Sequence, residues 1–195
     1  MAQARAEWWT EPEAGVGGIA PKRLVVIDEC GVLTNMARLH GRSPRGERAH
    51  ASVPCGTWKR ISVLGAIGSA GMIAALSLDA ATDSASFAAY LEQVLLPALQ
   101  TVKPDAVLVL DNLRPHKTAE VQAVLEGSGF AYRYLPPYSP DLNPIEPAWA
   151  QIKGDLRNAE ARSLVQLDAA MPHALEQITP SNAQGWFRMK GYRSN

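Results

Sequence analysis

Two aspartates each follow a short apolar run of the sequence, at a position where side chains of α/β proteins often do chemistry. Asp28 closes the run LVVI that begins at Leu24, and Asp111 closes the run AVLVL that begins at Ala106. Ligand sites of open α/β sheets lie beyond the carboxyl ends of the strands, so both carboxylates are candidates for one site. Taken singly, each Asp is equally typical of a turn or a helix N-cap.

A third carboxylate, Glu146, stands at the end of the proline-rich string LPPYSPDLNPIE that begins at Leu135. Its four prolines fix φ repeatedly, which lowers the entropy cost of holding one loop path. Asn143 is predicted to be a helix N-cap and Pro144 the first helical residue, which puts Glu146 at the third helical position. The same spacing is that of a capping box, so the local sequence leaves a metal ligand and a capping residue both open.

A sheet is needed to bring these acids together, and the apolar patterns predict one. Five strands are expected, the second and third joined by the turn 68–71, at 24–28, 59–67, 72–78, 106–110 and 131–135. Helices are expected from caps at 82–84 to about 102, and at 117–126, 144–158, 164–178 and 183–188. This order predicts an α/β domain with a mixed sheet over residues 21–195, preceded by an extension or linker remnant at 1–20.

Composition excludes several classes of protein. The 195 residues are 47% apolar and 19% charged, and no apolar run approaches the roughly 18 to 20 residues of a membrane span. The first residues lack the pattern of a secretory signal, and two cysteines make no disulfide framework. We therefore expect a soluble protein in a reducing, cytoplasmic setting, without a membrane partner.

The charge is balanced overall but unevenly distributed. A formal net charge of +0 argues against a nucleic-acid partner, because Lys and Arg drive binding to phosphates. Residues 38–60, however, contain six basic residues and one acid. Alone, such a segment is typical of a solvated loop.

Three strings together carry a family resemblance. VVIDE, VLVLDNLRPHK and LPPYSPDLNPIE, with GRSPRGERA and the terminal Gly-Tyr, resemble the catalytic domain of the IS630 family of bacterial transposases, relatives of the Tc1/mariner elements, over residues 24–192. Between Asp28 and Asp111 lie 82 residues, and between Asp111 and Glu146 lie 34, the spacing of that superfamily. The resemblance implies the DDE group of nucleotidyltransferases and an RNase H-like α/β domain, with a central mixed five-stranded sheet flanked by helices.

The resemblance also implies a site. Asp28, Asp111 and Glu146 would be the catalytic, metal-binding carboxylates, with Asp28 bridging two ions and each of the others holding one. Two ions suit in-line phosphodiester chemistry, and the hard ions Mg²⁺ and Mn²⁺ prefer carboxylate oxygens, so zinc is not expected. Asn112 and His116 match the family and are expected to line the site or touch a phosphate. Equally, Asn112 could pin the turn and His116 cap the following helix.

DNA is the implied partner: the terminal inverted repeats of an element and a TA target, brought together by a homodimer. The expected DNA contacts are the basic side chains Arg42, Arg45, Arg48, Lys59, Arg60, Lys117, Lys153 and Arg157. Family members carry helix-turn-helix modules before the catalytic domain, and the 27 residues before Asp28 are too few for one. The alternatives are one frame of a split or frameshifted gene, with a separately encoded N-terminal part, a truncated remnant, and an isolated domain. The expected location is the nucleoid of a bacterial cytoplasm.

Two other functions compete with this interpretation. A catalytically idle DNA-binding or dimerisation module of a decayed insertion element would share most of the sequence, although the presence of all three acids argues against decay. The string DECGVLT at 28–34 resembles the start of haloacid-dehalogenase phosphatases, but Cys30 replaces their second Asp.

Overall fold

A five-stranded mixed sheet forms the centre of the computed structural model, which describes residues 2–193. The strands are β1 (Leu24–Leu33), β2 (Arg60–Gly68), β3 (Gly71–Leu78), β4 (Val107–Leu110) and β5 (Ala131–Tyr134). Their order across the sheet is β3-β2-β1-β4-β5, with β1, β4 and β5 parallel to one another and β2 antiparallel to both of its neighbours, β1 and β3. The five predicted strands are confirmed, and β1 runs five residues beyond Asp28. The expected outer limits at 1 and 195 lie outside the described residues.

Seven α-helices are described in residues 2–193: α1 (Ala2–Thr10), α2 (Ser84–Tyr90), α3 (Leu96–Val102), α4 (Ala119–Gly127), α5 (Ile145–Ala159), α6 (Leu164–Glu176) and α7 (Pro180–Met189). One face of the sheet packs against α1, α5, α6 and α7, through side chains such as Trp8, Trp149 and Phe187. The other face packs against α2, α3 and α4, through side chains such as Phe87 and Leu99. The result is an RNase H-like fold, as the resemblance implied. No helix in the described part of the chain is long and apolar enough to cross a membrane.

The predicted helix from 82–84 to 102 is present but not regular. Asp83 caps it by accepting a hydrogen bond from the Ser86 N–H at 2.8 Å. A π-helical turn, Leu91–Leu95, joins α2 to α3. Pro97 lies just beyond that turn and cannot donate a backbone hydrogen bond, so the wider turn accommodates the ring and leaves the helix unbroken.

Several helix bounds differ from the prediction. A 3₁₀ turn, Arg114–Lys117, precedes α4, whose N-cap is Thr118. The helix α5 begins at Ile145 with Pro144 as its N-cap, which places Glu146 at the second helical position and not the third. A capping box at Thr179 starts α7 three residues earlier than expected, because Thr179 and Asn182 satisfy each other's backbone N–H groups.

Residues 1–20 were expected to be an extension or linker remnant, and the described part of that segment, residues 2–20, is packed on the sheet. The helix α1 buries Trp8, which is 1% exposed within the larger core. Arg133 of β5 holds the turn that follows, donating hydrogen bonds to the carbonyls of Pro12 and Gly15. The segment 2–20 therefore belongs to the same packed unit as the sheet.

Candidate active site

The pairing of β1 with β4 places Asp28 and Asp111 side by side. Ile27 pairs with Leu110 in this parallel ladder, and each aspartate is the next residue along its strand. Neighbouring strands lie about 4.8 Å apart. The ladder therefore brings together two acids with 82 residues between them in the chain.

Gly65 explains how α5 comes close to Asp28. It is the cross-strand partner of Asp28 on β2, so both residues present the same face of the sheet to α5. A Cβ at Gly65 would lie 2.5 Å from Trp149 Cη2, which means that the indole occupies the space of a side chain. Trp149 is one helical turn after Glu146. The glycine therefore allows α5 to pack with its first turn beside β1.

All three acids line one cavity of about 460 Å³. Its wall also includes Asn112 and residues 136–140 and 143 of the segment between β5 and α5, which we call the proline loop (136–143). Asp28 is buried at 7% exposure, whereas Glu146 is exposed. The acids thus share a pocket at the carboxyl ends of β1 and β4, where ligand sites of such sheets are found.

Asp28 is held by two donors. Its Oδ1 accepts the Glu29 N–H at 2.8 Å, and its Oδ2 accepts a hydrogen bond from Asn143 Nδ2 at 2.9 Å. Burial raises the pKa of the Asp28 carboxyl to about 7, and the charges of Asp111 and Glu146 push it in the same direction. The Glu29 N–H opposes this rise. Asp28 therefore lies in an environment that disfavours its charge, as expected for a carboxylate that a cation would stabilise.

His116 holds Asp111 from the opposite side. Its ring is 1% exposed and stacks on Phe87 at 4.0 Å, with Nδ1 in contact with Asp111 Oδ1 and Nε2 3.5 Å from Glu29 Oε2. Burial lowers the pKa of His116, but the contacts with Asp111 and Glu29 outweigh it and raise the pKa to about 9. The imidazolium therefore links two acids. His116 does not cap α4, because Thr118 does.

The neighbours of these acids agree only in part with the sequence interpretation. Asn112 Nδ2 donates to the Leu135 carbonyl at 3.1 Å and ties together the ends of β4 and β5, while the residue also lines the cavity. Glu29 points away from Asp28, as alternation along the strand predicts. Its contact with His116, and that of Asn143 with Asp28, were missed because the partners are 87 and 115 residues apart with no local pattern connecting them.

The donor set suits a hard divalent cation, although it is not closed. Carboxylate oxygens line the cavity with no Cys or His among its lining residues, which matches the preference of Mg²⁺ and Mn²⁺. Within residues 2–193, no three His, Cys, Asp or Glu side chains are already grouped closely enough to hold a metal ion. The capping-box alternative for Glu146 is not realised, because the N-cap of α5 is Pro144, which has no N–H for the Glu146 carboxylate to accept.

The predicted DNA-contacting residues lie in the segment between β1 and β2, at the start of β2, on the 3₁₀ turn before α4 and on α5. Arg42, Arg45 and Arg48 are exposed in the segment between β1 and β2, which contains no helix or strand and is closed at its base by a backbone hydrogen bond between Thr34 and Lys59. Lys117 is exposed and lies 4.7 Å from the centre of the Tyr134 ring.

The other basic residues are Arg60, at the start of β2, and Lys153 and Arg157 on α5. Arg60 lies over Gly31, where an added Cβ would be 2.6 Å from its Nε. Lys153 and Arg60 lower the pKa of the Cys30 thiol, against burial that raises it to about 12. Cys30 is two residues beyond Asp28 on the same face of β1. Both basic groups therefore lie near Cys30, and Lys153 and Arg157 are half-buried on α5.

Comparisons with solved structures show the same fold. The Mos1 transposase paired-end complex with left transposon end superposes with a TM-score of 0.68 at 21% identity, covering 86% of this chain and 52% of that chain. The Mos1 mariner paired-end complex with Mn gives 0.65 at 19% identity, covering 87% and 53%. The catalytic domain of Mos1 mariner transposase gives 0.61 at 18% identity, covering 88% and 78%. This chain thus spans about half the length of the transposase chains in those two complexes.

A search of curated proteins gave no match. The family comparison did: residues 23–168 match the model of the DDE superfamily endonucleases. That range contains all three acids, the proline loop and all five strands of the sheet. The chain therefore belongs to the DDE superfamily endonuclease family.

Proposed function

We propose that this chain is the catalytic domain of a DNA transposase of the IS630 type, which hydrolyses phosphodiesters at the ends of an element and joins them to target DNA. The observation that carries the proposal is the shared cavity of Asp28, Asp111 and Glu146 at the carboxyl ends of β1 and β4. The family match and the fold shared with Mos1 transposase complexes support it.

Asp28, Asp111 and Glu146 would together hold two Mg²⁺ or Mn²⁺ ions. Bound there, such ions activate the attacking water or 3′-hydroxyl and neutralise the leaving oxygen. The protein's own groups orient the carboxylates: Asn143 fixes Asp28, and His116 fixes Asp111. The Mos1 complexes solved with Mn and with Mg are consistent with a divalent ion in this fold.

The DNA would follow the basic side chains from the cavity outward. Glu146, Lys153 and Arg157 are spaced by seven and four residues, so they share one face of α5. Lys153 would lie about 10 Å and Arg157 about 16 Å from Glu146 along the helix axis. Asn112 would stand beside the scissile phosphate. The remaining contacts we assign to phosphates are Arg42, Arg45, Arg48, Lys59, Arg60 and Lys117.

The same proposal includes a homodimer, because two element ends must be brought together. The segment between β1 and β2 exposes three large apolar side chains among its arginines: Leu39, Val53 and Trp58, at 71%, 66% and 59% exposure. Large exposed apolar groups favour contact with a partner. We further propose that a helix-turn-helix part, encoded separately, recognises the terminal inverted repeats, that TA is the target, and that the complex acts at the bacterial nucleoid.

Nicking of a supercoiled plasmid in the presence of Mg²⁺ or Mn²⁺ tests the activity. The wild-type chain is expected to relax the plasmid only with the ion, and Asp111→Asn to lose activity because one carboxylate ligand is removed. Asp105→Asn is the matched control: Asp105 precedes β4 as Asp111 follows it, and it is exposed and far from the cavity. Equal nicking by Asp111→Asn and the wild type would refute the proposal.

An idle DNA-binding module is the alternative. It predicts that the wild-type chain shifts a DNA duplex in a gel but nicks no plasmid with either ion. Under that outcome, the three acids would be remnants and only the basic surface would function.

A further inference from the structure

The proline loop is fastened by residues from both ends of the described chain. Tyr192 donates a hydrogen bond through its hydroxyl to the Leu142 carbonyl at 2.8 Å, and Lys190 donates to the Pro140 carbonyl at 3.2 Å. From the other end, Arg5 of α1 reaches two side chains of the same loop. The loop that lines the active-site cavity is therefore not held by its own prolines alone.

Arg5 binds the proline loop through both terminal nitrogens of its guanidinium. Nη1 donates to Ser139 Oγ and to Asp141 Oδ1, each at 2.9 Å, and Nη2 donates to Asp141 Oδ2 at 2.5 Å. These partners are 134 and 136 residues away in the chain. Ser139 is buried at 5% exposure, so Arg5 bonds to a fixed point of the loop as well as to its surface.

The helix that carries Arg5 is docked independently of this contact. Trp8, one turn later on α1, is buried in the core, and the Gly15 carbonyl after the helix accepts a hydrogen bond from Arg133. Because other residues fix α1, Arg5 is presented to the loop from a rigid support. Functional groups supported by a fixed helix are placed more accurately than groups that a loop holds alone.

The part of the proline loop that Arg5 contacts is flanked by two residues of the site, Tyr138 and Asn143. Asn143 donates to Asp28, and Tyr138, at 91% exposure and a left-handed φ of 55°, lines the cavity. A non-glycine residue in this conformation persists only where its surroundings fix it, and such residues cluster at functional sites. Arg5 contacts residues 139 and 141, which lie between these two.

We propose that Arg5 is a positioning residue of the active site: by bridging Ser139 and Asp141 it sets the path of the proline loop, and so the placement of Asn143 against Asp28 and of Tyr138 at the cavity. The inference rests on the proposed function for its effect on DNA cleavage, although the ordering of the loop does not depend on it. It assigns to the N-terminal segment a part in forming the site.

Because the Arg5–Asp141 ion pair is exposed, a role in positioning the loop can be distinguished from a role in folding stability. Arg5 and Asp141 are 38% and 59% exposed, and exposed ion pairs add little to folding stability. Loss of Arg5 should therefore leave the melting temperature nearly unchanged while loosening the loop. Lysine should replace it poorly, because a single ammonium cannot reproduce the forked contact with a carboxylate and a hydroxyl.

Hydrogen exchange read by mass spectrometry tests the ordering directly. The amides of Leu142 and Asn143 are bonded to the carbonyls of Ser139 and Pro140. In Arg5→Ala we expect these amides to exchange roughly five-fold faster, with no change in the core strands. Arg23→Ala is the matched control, since the Arg23–Asp105 pair is as exposed, at 43% and 62%, and lies away from the loop.

Plasmid nicking measured over a range of DNA concentrations up to saturation tests the consequence. Arg5→Ala is expected to lower kcat about 10-fold with little change in KM, since misplacement of active-site groups slows the reaction more than it weakens binding. Arg5→Lys should resemble Arg5→Ala, and Arg23→Ala the wild type. Exchange at residues 142 and 143 that matches the wild type, or a kcat equal to that of Arg23→Ala, would overturn the inference.

Asp141→Asn approaches the same contact from the loop and keeps α1 intact. If Arg5→Ala does not fold, this variant must show the faster exchange and lower kcat, or the inference fails. Should the wild-type chain nick no DNA, the proposed function fails while the exchange result still decides whether Arg5 orders the loop.

Discussion

A methyl group added at Gly65 should disturb the contact that places α5 against the sheet. The Cβ of Gly65→Ala would lie 2.5 Å from Trp149 Cη2, 3.0 Å from Trp149 Cζ2 and 3.1 Å from Met72 Cε. Carbon atoms in favourable contact are about 3.5 to 4.0 Å apart, so the indole must retreat by about 1 Å. Met72 can turn its terminal methyl away. Trp149 cannot easily move, because it is 2% exposed and packed in the core.

Two opposing effects determine how much Gly65→Ala changes the free energy of unfolding. Overpacking of this kind costs about 1–3 kcal/mol. Replacing Gly by Ala also restricts the unfolded chain, which stabilises the protein by about 0.4–1 kcal/mol. The clash therefore dominates, and a net loss of about 1–2 kcal/mol corresponds to a melting temperature lower by about 2–8 °C in a chain of this size.

Thermal unfolding followed by circular dichroism measures this, with Gly154→Ala as the control. Gly154 lies within α5 with no atom within 4 Å of an added Cβ, so alanine there should stabilise the helix by about 1 kcal/mol. In Gly65→Ala combined with Trp149→Phe the clash is relieved. The double variant should then lose less free energy of unfolding than the sum of the losses of the two single variants. The difference should exceed roughly 0.5 kcal/mol, the margin within which independent sites add. An unchanged melting temperature for Gly65→Ala, or additive losses, would refute this account of the packing.

Three further outcomes are expected. Removing the buried ring in Trp8→Ala should cost about 3–5 kcal/mol in urea unfolding; a loss under about 1 kcal/mol would mean that α1 is dispensable. His116→Ala should lower plasmid nicking about 10- to 100-fold, because Asp111 loses the group that orients it; undiminished nicking would remove that role. Arg42→Ala with Arg45→Ala should weaken DNA binding across sequences and reduce the slope of log K against log salt by about 2, and an unchanged slope would exclude phosphate contacts there.

The sheet could be predicted from the sequence because its signals are local. Apolar runs such as LVVI and AVLVL mark buried strands, and the turn at 68–71 marks the hairpin. The acids at the strand ends follow from the same patterns. By contrast, α1 shows no helical apolar periodicity, and Trp8 is its only buried residue. The helix α1 and the turn after it are fixed by contacts with Arg133 and with the core. These partners are distant in the chain, so the local sequence does not predict the contacts.

The sequence predicted which acids form the site, but not the hydrogen bonds that hold them in place. Asn143 was expected only to cap α5, and it does accept the Ile145 N–H at 3.3 Å through its Oδ1. Its Nδ2 at the same time donates to Asp28 across 115 residues. A single amide thus joins the helix start to β1. Local sequence predicts the first contact and says nothing of the second.

The three carboxylates differ in how firmly the protein holds them. Asp28 is fixed by Asn143 and the Glu29 N–H, and Asp111 by His116 and the Leu113 N–H at 3.2 Å. Glu146 is exposed on the first turn of α5. A divalent ion among the three carboxylates would attract each of them, and the side chain with the fewest bonds to break is that of Glu146. Glu146 is therefore the carboxylate whose position would respond most to an ion.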